Sequence, residues 1–230
     1  MSNKITLDKL DVFYDDLKSG LRVDEFLTRC DEVMTFRHEV GLTEDYRLGR
    51  GRVKGLQSEI RPMARYAAKN VEPDAKIQFP LDDGPVDCNL IYSDPTQNKT
   101  IEITLCQARE NLNLMNELND KGQARGFIGI GDDKPKIDFD KAMSQEQKAH
   151  SKDEVRDAVV RAVELCAENK MYSQADVLAI GYAPSTFVLP EDRLCHEMKT
   201  DLSKRVENLP FSDVYFVGGS GKGDICMKLK

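Results

Sequence analysis

The stretch KIQFPLDDGPVDCNLIYSDPTQNKTIEITLC, residues 76–106, gives the strongest indication of the fold. Apolar and polar residues alternate near 76–81, 86–92 and 99–106, and a period of two is typical of half-buried β-strands. Between these segments lie 82–85 (DDGP) and 93–96 (SDPT), both rich in turn-forming residues. The sequence therefore predicts an antiparallel meander of three strands.

Helical periodicity surrounds this meander. Residues 5–46 predict two or three helices, and a helix near 53–70 must be kinked or restarted at Pro62. Residues 107–119 are also predicted to be helical, whereas 120–150 give no clear pattern. A capping box at 151–154 (SKDE) begins another helix, followed by the fully apolar strand 176–182, a helix near 192–208 and two short strands, 213–217 and 224–229. The predicted fold class is α/β, a central mixed sheet with the meander flanked by helices.

Composition excludes several classes of protein. The chain is 40% hydrophobic and 32% charged, which is typical of a globular domain. No apolar run approaches the roughly 18–20 residues of a membrane span, and the N-terminus lacks a secretory signal, so we expect a cytoplasmic protein without membrane contact. The six cysteines lack metal-site spacing and are interpreted as free structural thiols. The glycine-rich segment 218–223 is interpreted as a hairpin turn, since a strand rather than a helix follows it.

Two acidic residues on neighbouring strands are the candidate site. Alternation puts Asp87 on the polar face of the second strand and Glu102 on that of the third. A four-residue turn at 93–96 would pair Tyr92 with Gln97, and the same ladder sets Asp87 opposite Glu102. Like charges at that separation destabilise a sheet, so a cation, a neighbouring Lys or Arg, or a raised pKa must compensate. The acids are therefore either Mg²⁺ or Mn²⁺ ligands or solvent-exposed acids steadied by basic neighbours.

On these residues the chain resembles the PD-(D/E)xK nuclease superfamily. The family core runs helix, three antiparallel strands, helix, strand, an order that matches 53–70, the meander, a later helix and 176–182. The resemblance implies a restriction-endonuclease-like core in which Asp87 and Glu102 bind the metal and Glu59, on the first helix, assists the metal or the water.

The chain departs from the family pattern two positions after Glu102. The family usually has a lysine there that polarises the attacking water, whereas this chain has Thr104, which can position a water but carries no charge. Gln107 or a migrated lysine such as Lys99 could replace it, or the site has lost its chemistry. Thr104 and Gln107 are accordingly secondary catalytic candidates.

Charge is unevenly distributed along the chain. Residues 47–70 carry a net charge of +6, while the whole chain carries −7, so the remainder carries −13. A local basic patch can bind phosphates even on an acidic protein. We therefore expect Lys54, Arg61 and Arg65 to contact a nucleic-acid backbone, although a solvated helix face would have the same composition.

The resulting prediction is a single domain, 1–230. It comprises a helical N-terminal extension (1–50), a nuclease-like core (53–182) and a C-terminal helix with strands (183–230). The predicted function is metal-dependent hydrolysis of nucleic acid, with a DNA endonuclease favoured. The alternatives are a catalytically degenerate binding module for nucleic acid or protein, and an immunity-type interaction protein. A homodimer is left open.

Overall fold

A computed structural model describes residues 2–39, 42, 45–46, 50–81, 84, 86–106, 152–182, 191–220 and 223–230. The helices are α1 (Ser2–Ser19), α2 (Val23–Glu39), α3 (Arg61–Asn70), α4 (Lys152–Glu168) and α5 (Glu191–Val206). The strands are β1 (Leu21–Arg22), β2 (Lys76–Gln78), β3 (Cys88–Ile91), β4 (Lys99–Cys106), β5 (Val177–Tyr182), β6 (Asp213–Ser220) and β7 (Gly223–Lys228). The predictions for 107–150 and for the capping residue Ser151 lie outside the described residues.

Among the described residues, the seven strands form one mixed sheet in the order β1 to β7. The first four strands are antiparallel neighbours, β4, β5 and β6 run parallel, and β7 returns antiparallel to β6. Parallel neighbours need a long crossover, and α4 and α5 lie in the two crossovers. The predicted α/β class, mixed sheet, meander and closing hairpin are confirmed.

Both faces of the sheet are covered, which explains the continuous apolar run of β5. Val177 and Ala179 pack with residues of α1, α2 and α3, while Leu178 and Ile180 pack with residues of α4 and α5. All four side chains are fully buried. A strand enclosed on both faces has no polar side to present, so its sequence does not alternate.

Helix α3 begins later than predicted. The chain first forms a 3₁₀ turn (Gly51–Val53) and a π-helical turn (Leu56–Ile60), and the α-helix starts at Arg61 with Pro62 in its first turn. Proline is tolerated there because the first turn has no intrahelical acceptor for its missing N–H. Gly181 of β5 allows the close approach, since a Cβ at this position would lie 2.9 Å from Pro62 Cγ.

The first two strands of the meander are shorter than predicted. Strand β2 ends at Gln78 rather than near Leu81, because Pro80 has no N–H to donate and Leu81 adopts a φ of 54°. Strand β3 starts at Cys88, which leaves Asp87 just outside it. The two-residue strand β1, which pairs with β2, was not predicted.

Other expectations concern the thiols and the membrane. Within the described part of the chain, the helices are all too short or too polar to cross a bilayer. Five of the six cysteines are described and all five are free thiols. Cys30, Cys88 and Cys106 are buried, in agreement with the predicted structural role.

Candidate active site where β3 and β4 diverge

The register of the meander is the predicted one. Cys88 pairs with Ile101 and Leu90 with Lys99, so the same offset sets Asp87 against Glu102. The turn itself differs, because Tyr92 donates its N–H to the Asn98 side chain at 2.9 Å instead of pairing with Gln97. The connection is a 3₁₀ turn in which the Asp94 side chain accepts the Thr96 N–H at 2.9 Å.

Asp87 lies in the gap where β3 leaves β4. Its N–H donates to the Ile101 carbonyl at 3.1 Å, and its Oδ2 accepts the Ile103 N–H at 2.6 Å. The carboxylate thus replaces the backbone partner that β3 no longer supplies. Burial and the Glu102 charge raise the pKa of Asp87, while the Ile103 hydrogen bond and the Lys170 charge act in the opposite direction.

Glu102 points to the face of the sheet that α4 covers. Its side chain is only 13% exposed. The Lys170 ammonium donates to Oε1, and the Ser173 hydroxyl donates to Oε2. Both donors belong to the turn that joins α4 to β5, so the crossover connection brings a cation to this acid.

Glu59 lies on the opposite face of the sheet, in the π-helical turn before α3. Its Oε1 accepts a hydrogen bond from the Ser58 hydroxyl at 3.2 Å. Burial and, after it, the Asp87 charge raise the pKa of Glu59. The Asp87 charge thus acts on Glu59 and the Glu102 charge acts on Asp87, while Glu59 and Glu102 lie on opposite faces of the sheet.

The repulsion predicted for the facing acids is compensated in two ways. A lysine contacts Glu102, and the pKa of Asp87 is raised. Within the described ranges, no group of three or more His, Cys, Asp and Glu residues is placed to hold a metal ion. One lysine beside two carboxylates leaves a net negative charge, which is compatible with a hard cation that keeps most of its waters.

The other catalytic candidates have different outcomes. Thr104 is half-buried on β4 and, two positions along the strand, shares the face of Glu102. Gln107 lies outside the described residues. Lys99 as a migrated lysine is wrong, because its ammonium contacts Asp213 Oδ2 at 3.3 Å and its side chain points to the opposite face from Glu102. Lys170 instead occupies the position of a cation at the acid pair.

The predicted phosphate-binding residues are not equally accessible. Lys54 is exposed, and its charge opposes the rise in the pKa of Glu59 that burial and the Asp87 charge cause. Arg61 is half-buried and donates to the Tyr46 hydroxyl at 3.3 Å. Arg65 is only 9% exposed, so it cannot contact a phosphate backbone that stays in solvent. The prediction for Arg65 is wrong because this face of α3 packs on the protein interior.

A pocket of about 640 Å³ borders the site on the side of Glu59. Its walls come from α1, the turns before α3 and the end of the β2 segment, and they include Asp11, Tyr14, Arg52, Glu59 and Leu81. Arg52 forms an ion pair with Asp11 at 2.7 Å and accepts the Tyr14 hydroxyl on its carbonyl at 2.5 Å. The polar groups of the wall are thus largely paired with each other.

Sequence reasoning missed Lys170 and Ser173, although they make the closest contacts with Glu102. They lie 68 and 71 residues after it, and no local spacing links positions so far apart. The sequence therefore offered no signal that would connect Lys170 or Ser173 with Glu102.

The identification of this site therefore depends on its geometry and on the residues it brings together. Asp87, Glu102 and Lys170 converge where the paired part of β3 and β4 ends. No protein-family model, no curated protein and no solved structure matches this chain.

Proposed function

We propose that this chain hydrolyses phosphodiester bonds in nucleic acid, as a metal-dependent endonuclease with DNA as the favoured substrate and a restriction-endonuclease-like core. One observation carries the proposal. Asp87 and Glu102 share one register position at the divergence of β3 and β4, and Lys170 adds a positive charge beside them. This set supplies two oxygen ligands for a metal ion. It also supplies a positive charge, which Thr104, at the position of the family's lysine, does not carry.

Asp87 and Glu102 are the residues that would hold Mg²⁺ or Mn²⁺, since both ions prefer carboxylate oxygens. Such an ion, when bound, orients a phosphate, activates a water and stabilises the charge on the leaving oxygen. Burial of the two carboxylates and their mutual repulsion favour the uptake of a cation. Lys170 offsets part of the negative charge that would otherwise repel the substrate.

The remaining residues manage protons and orientation. In hydrolysis the water oxygen bonds to phosphorus, the bond to the leaving sugar oxygen breaks, the water loses a proton and the leaving oxygen gains one. Burial and the Asp87 charge raise the pKa of Glu59, and a raised pKa makes a carboxylate a better proton acceptor, so we assign proton transfer to Glu59. Lys54 is the exposed residue that would contact a backbone phosphate, whereas the buried Arg65 is not assigned this contact.

The test is cleavage of plasmid and of single-stranded and double-stranded oligonucleotides, DNA and RNA, with added Mn²⁺. Asp87→Asn keeps the size and the hydrogen bond to Ile103 but removes the charge. We expect a loss of roughly a hundredfold or more. Asp213→Asn is the matched control, since it neutralises an aspartate on the same sheet that contacts two lysines, and it should cleave like wild type.

Two outcomes would contradict this proposal. One is a wild-type protein that is inert on all the substrates, and the other is cleavage that Asp87→Asn leaves unchanged. Either outcome would mean that Asp87 and Glu102 have a structural role.

A non-catalytic binding module is the second candidate, and a specific observation favours it. Protein donors already occupy both oxygens of Glu102 and one oxygen of Asp87, as expected for acids that stabilise the sheet. This candidate predicts salt-dependent retention of nucleic acid without cleavage. Retention should then be equal in wild type and Asp87→Asn and reduced in Lys54→Ala.

A further inference from the structure

The turn that holds Glu102 also presents two apolar side chains to solvent. Large hydrophobic side chains stand exposed at four described positions, and two of the four are consecutive, Met171 at 46% and Tyr172 at 95%. They lie between Lys170 and Ser173, whose side chains contact the two oxygens of Glu102. The exposed pair is therefore adjacent to the proposed site.

The position of this turn is fixed by several hydrogen bonds. Lys170 N–H donates to the Ala167 carbonyl at 2.9 Å, and Ser173 N–H donates to the Lys170 carbonyl at 3.3 Å. The Ser173 hydroxyl also accepts the Ala175 N–H at 3.2 Å. With both ends bound to Glu102 and the backbone closed on itself, the Tyr172 ring projects from a constrained support, which lowers the entropy cost of contacting a ligand.

We propose that Met171 and Tyr172 form a base-stacking surface, and that the substrate class of the site is single-stranded nucleic acid. This inference rests on the proposed function. An exposed tyrosine ring is a sequence-tolerant stacking partner for a nucleobase, and a methionine thioether adapts to irregular apolar surfaces. Bases within a duplex already stack on each other, so only an unpaired base presents its face to the ring.

The charge around the turn sets a condition on binding. Lys170 contacts Glu102, and Asp87 adds a second carboxylate beside this acid. The exposed acids Glu168 and Asp176 lie within four residues of the Met171–Tyr172 pair in the sequence. Phosphates are repelled unless a cation occupies the acid pair. Binding of a single strand should therefore require a divalent ion, and Ca²⁺ provides one that takes the same oxygen ligands.

The chain contains no tryptophan, so Tyr172→Trp places one fluorophore at the proposed stacking surface. We expect a short single-stranded oligothymidylate or oligouridylate, with Ca²⁺, to quench this emission in a saturable manner. A blunt duplex of the same length should need a markedly higher concentration. Thr200→Trp, at an exposed position of α5, is the control that should not be quenched.

Affinity measured by anisotropy gives the second readout. Tyr172→Ala should bind the single strand about tenfold more weakly, which corresponds to about 1.4 kcal/mol, whereas Tyr172→Phe should retain the affinity. Because the ring is exposed, both variants should melt at the wild-type temperature. Unquenched emission from Tyr172→Trp, an equal response of this variant to duplex, or equal affinity of Tyr172→Ala and wild type would overturn the inference.

Failure of this inference and failure of the proposed function are distinguishable. If single strands quench the emission of Tyr172→Trp and the wild-type protein never cleaves, the stacking surface is retained and the hydrolase is rejected. If the wild-type protein cleaves and the emission of Tyr172→Trp stays unquenched, the stacking surface alone is rejected.

Discussion

Asp87 and Asp213 are aspartates of the same sheet in opposite electrostatic settings. Asp213, at the start of β6, contacts Lys228 from β7 and Lys99 from β4, and these lysines lower its pKa. Asp87 has two glutamates as acidic neighbours, and burial together with Glu102 raises its pKa. Two lysines contact the single acid Asp213 at β6, whereas no lysine among the described residues lies within ion-pair distance of Asp87, and Lys170 contacts its neighbour Glu102 instead.

This difference separates a structural ion cluster from a candidate site. A carboxylate with two basic partners stabilises the sheet in its charged form and needs nothing more. A half-buried carboxylate with acidic neighbours is costly in its charged form. Such arrangements persist at functional sites, where a ligand, a metal or a proton completes them.

The largest expected effect is on the free energy of unfolding, when a lysine that contacts an acid is replaced beside Glu102 or beside Asp213. Lys170→Met leaves Glu102, which is 13% exposed, buried beside Asp87 without a cation. We expect the free energy of unfolding to fall by about 3 kcal/mol in urea at neutral pH. Lys99→Met leaves Asp213 with Lys228, and the loss should stay below about 1 kcal/mol.

Equal losses in the two variants would remove the distinction between the regions. A small loss in Lys170→Met would show that Glu102 does not depend on this lysine, so that the ion pair is a surface contact of little weight.

The next effect in size is stabilisation by a divalent ion. If Asp87 and Glu102 bind Mg²⁺ or Mn²⁺, an ion concentration about 100 times the dissociation constant should add about 2.7 kcal/mol to the unfolding free energy. Asp87→Asn should abolish this gain, and Asp213→Asn should keep it because lysines surround that site. The measurement is urea unfolding in excess ion compared with EDTA.

An equal gain in unfolding free energy in wild type, Asp87→Asn and Asp213→Asn would contradict this prediction. It would mean that the ion acts on general surface charge, and the acid pair would lose its assignment as a metal site.

Local pattern predicted the sheet well and the charges around it poorly. Alternation in residues 76–106 is a property of adjacent positions, and turn length fixed the register that Cys88 and Ile101 adopt. The pairing of Lys170 with Glu102 depends on a parallel crossover, so it appears only when β4 and β5 are neighbours. The candidate acids were thus predictable, while their cation was not.

The burial of charged side chains was the second feature that the sequence did not predict. Arg65 follows Arg61 by one helical turn, and on sequence alone both belong to a basic segment. Tertiary packing of α3 against the sheet and α2 decides that Arg65 is buried. The strand ends depended on backbone details as well, since Leu81 takes a positive φ that its residue type disfavours.

The smallest expected effect is on the pH dependence of the free energy of unfolding, which should change with opposite sign in Asp87→Asn and Asp213→Asn. The pKa of Asp87 is raised on folding, so its stabilising contribution is complete below the unfolded pKa and is lost as pH rises through the folded pKa. The pKa of Asp213 is lowered, so its contribution is present above the unfolded pKa and is lost as pH falls through the folded pKa. In EDTA at neutral pH, Asp87→Asn should therefore have a higher free energy of unfolding than wild type, while Asp213→Asn should have a lower one. Urea unfolding from about pH 4 to pH 8 measures both, and a loss of stability in Asp87→Asn would contradict the view that its charge strains the fold until a cation arrives.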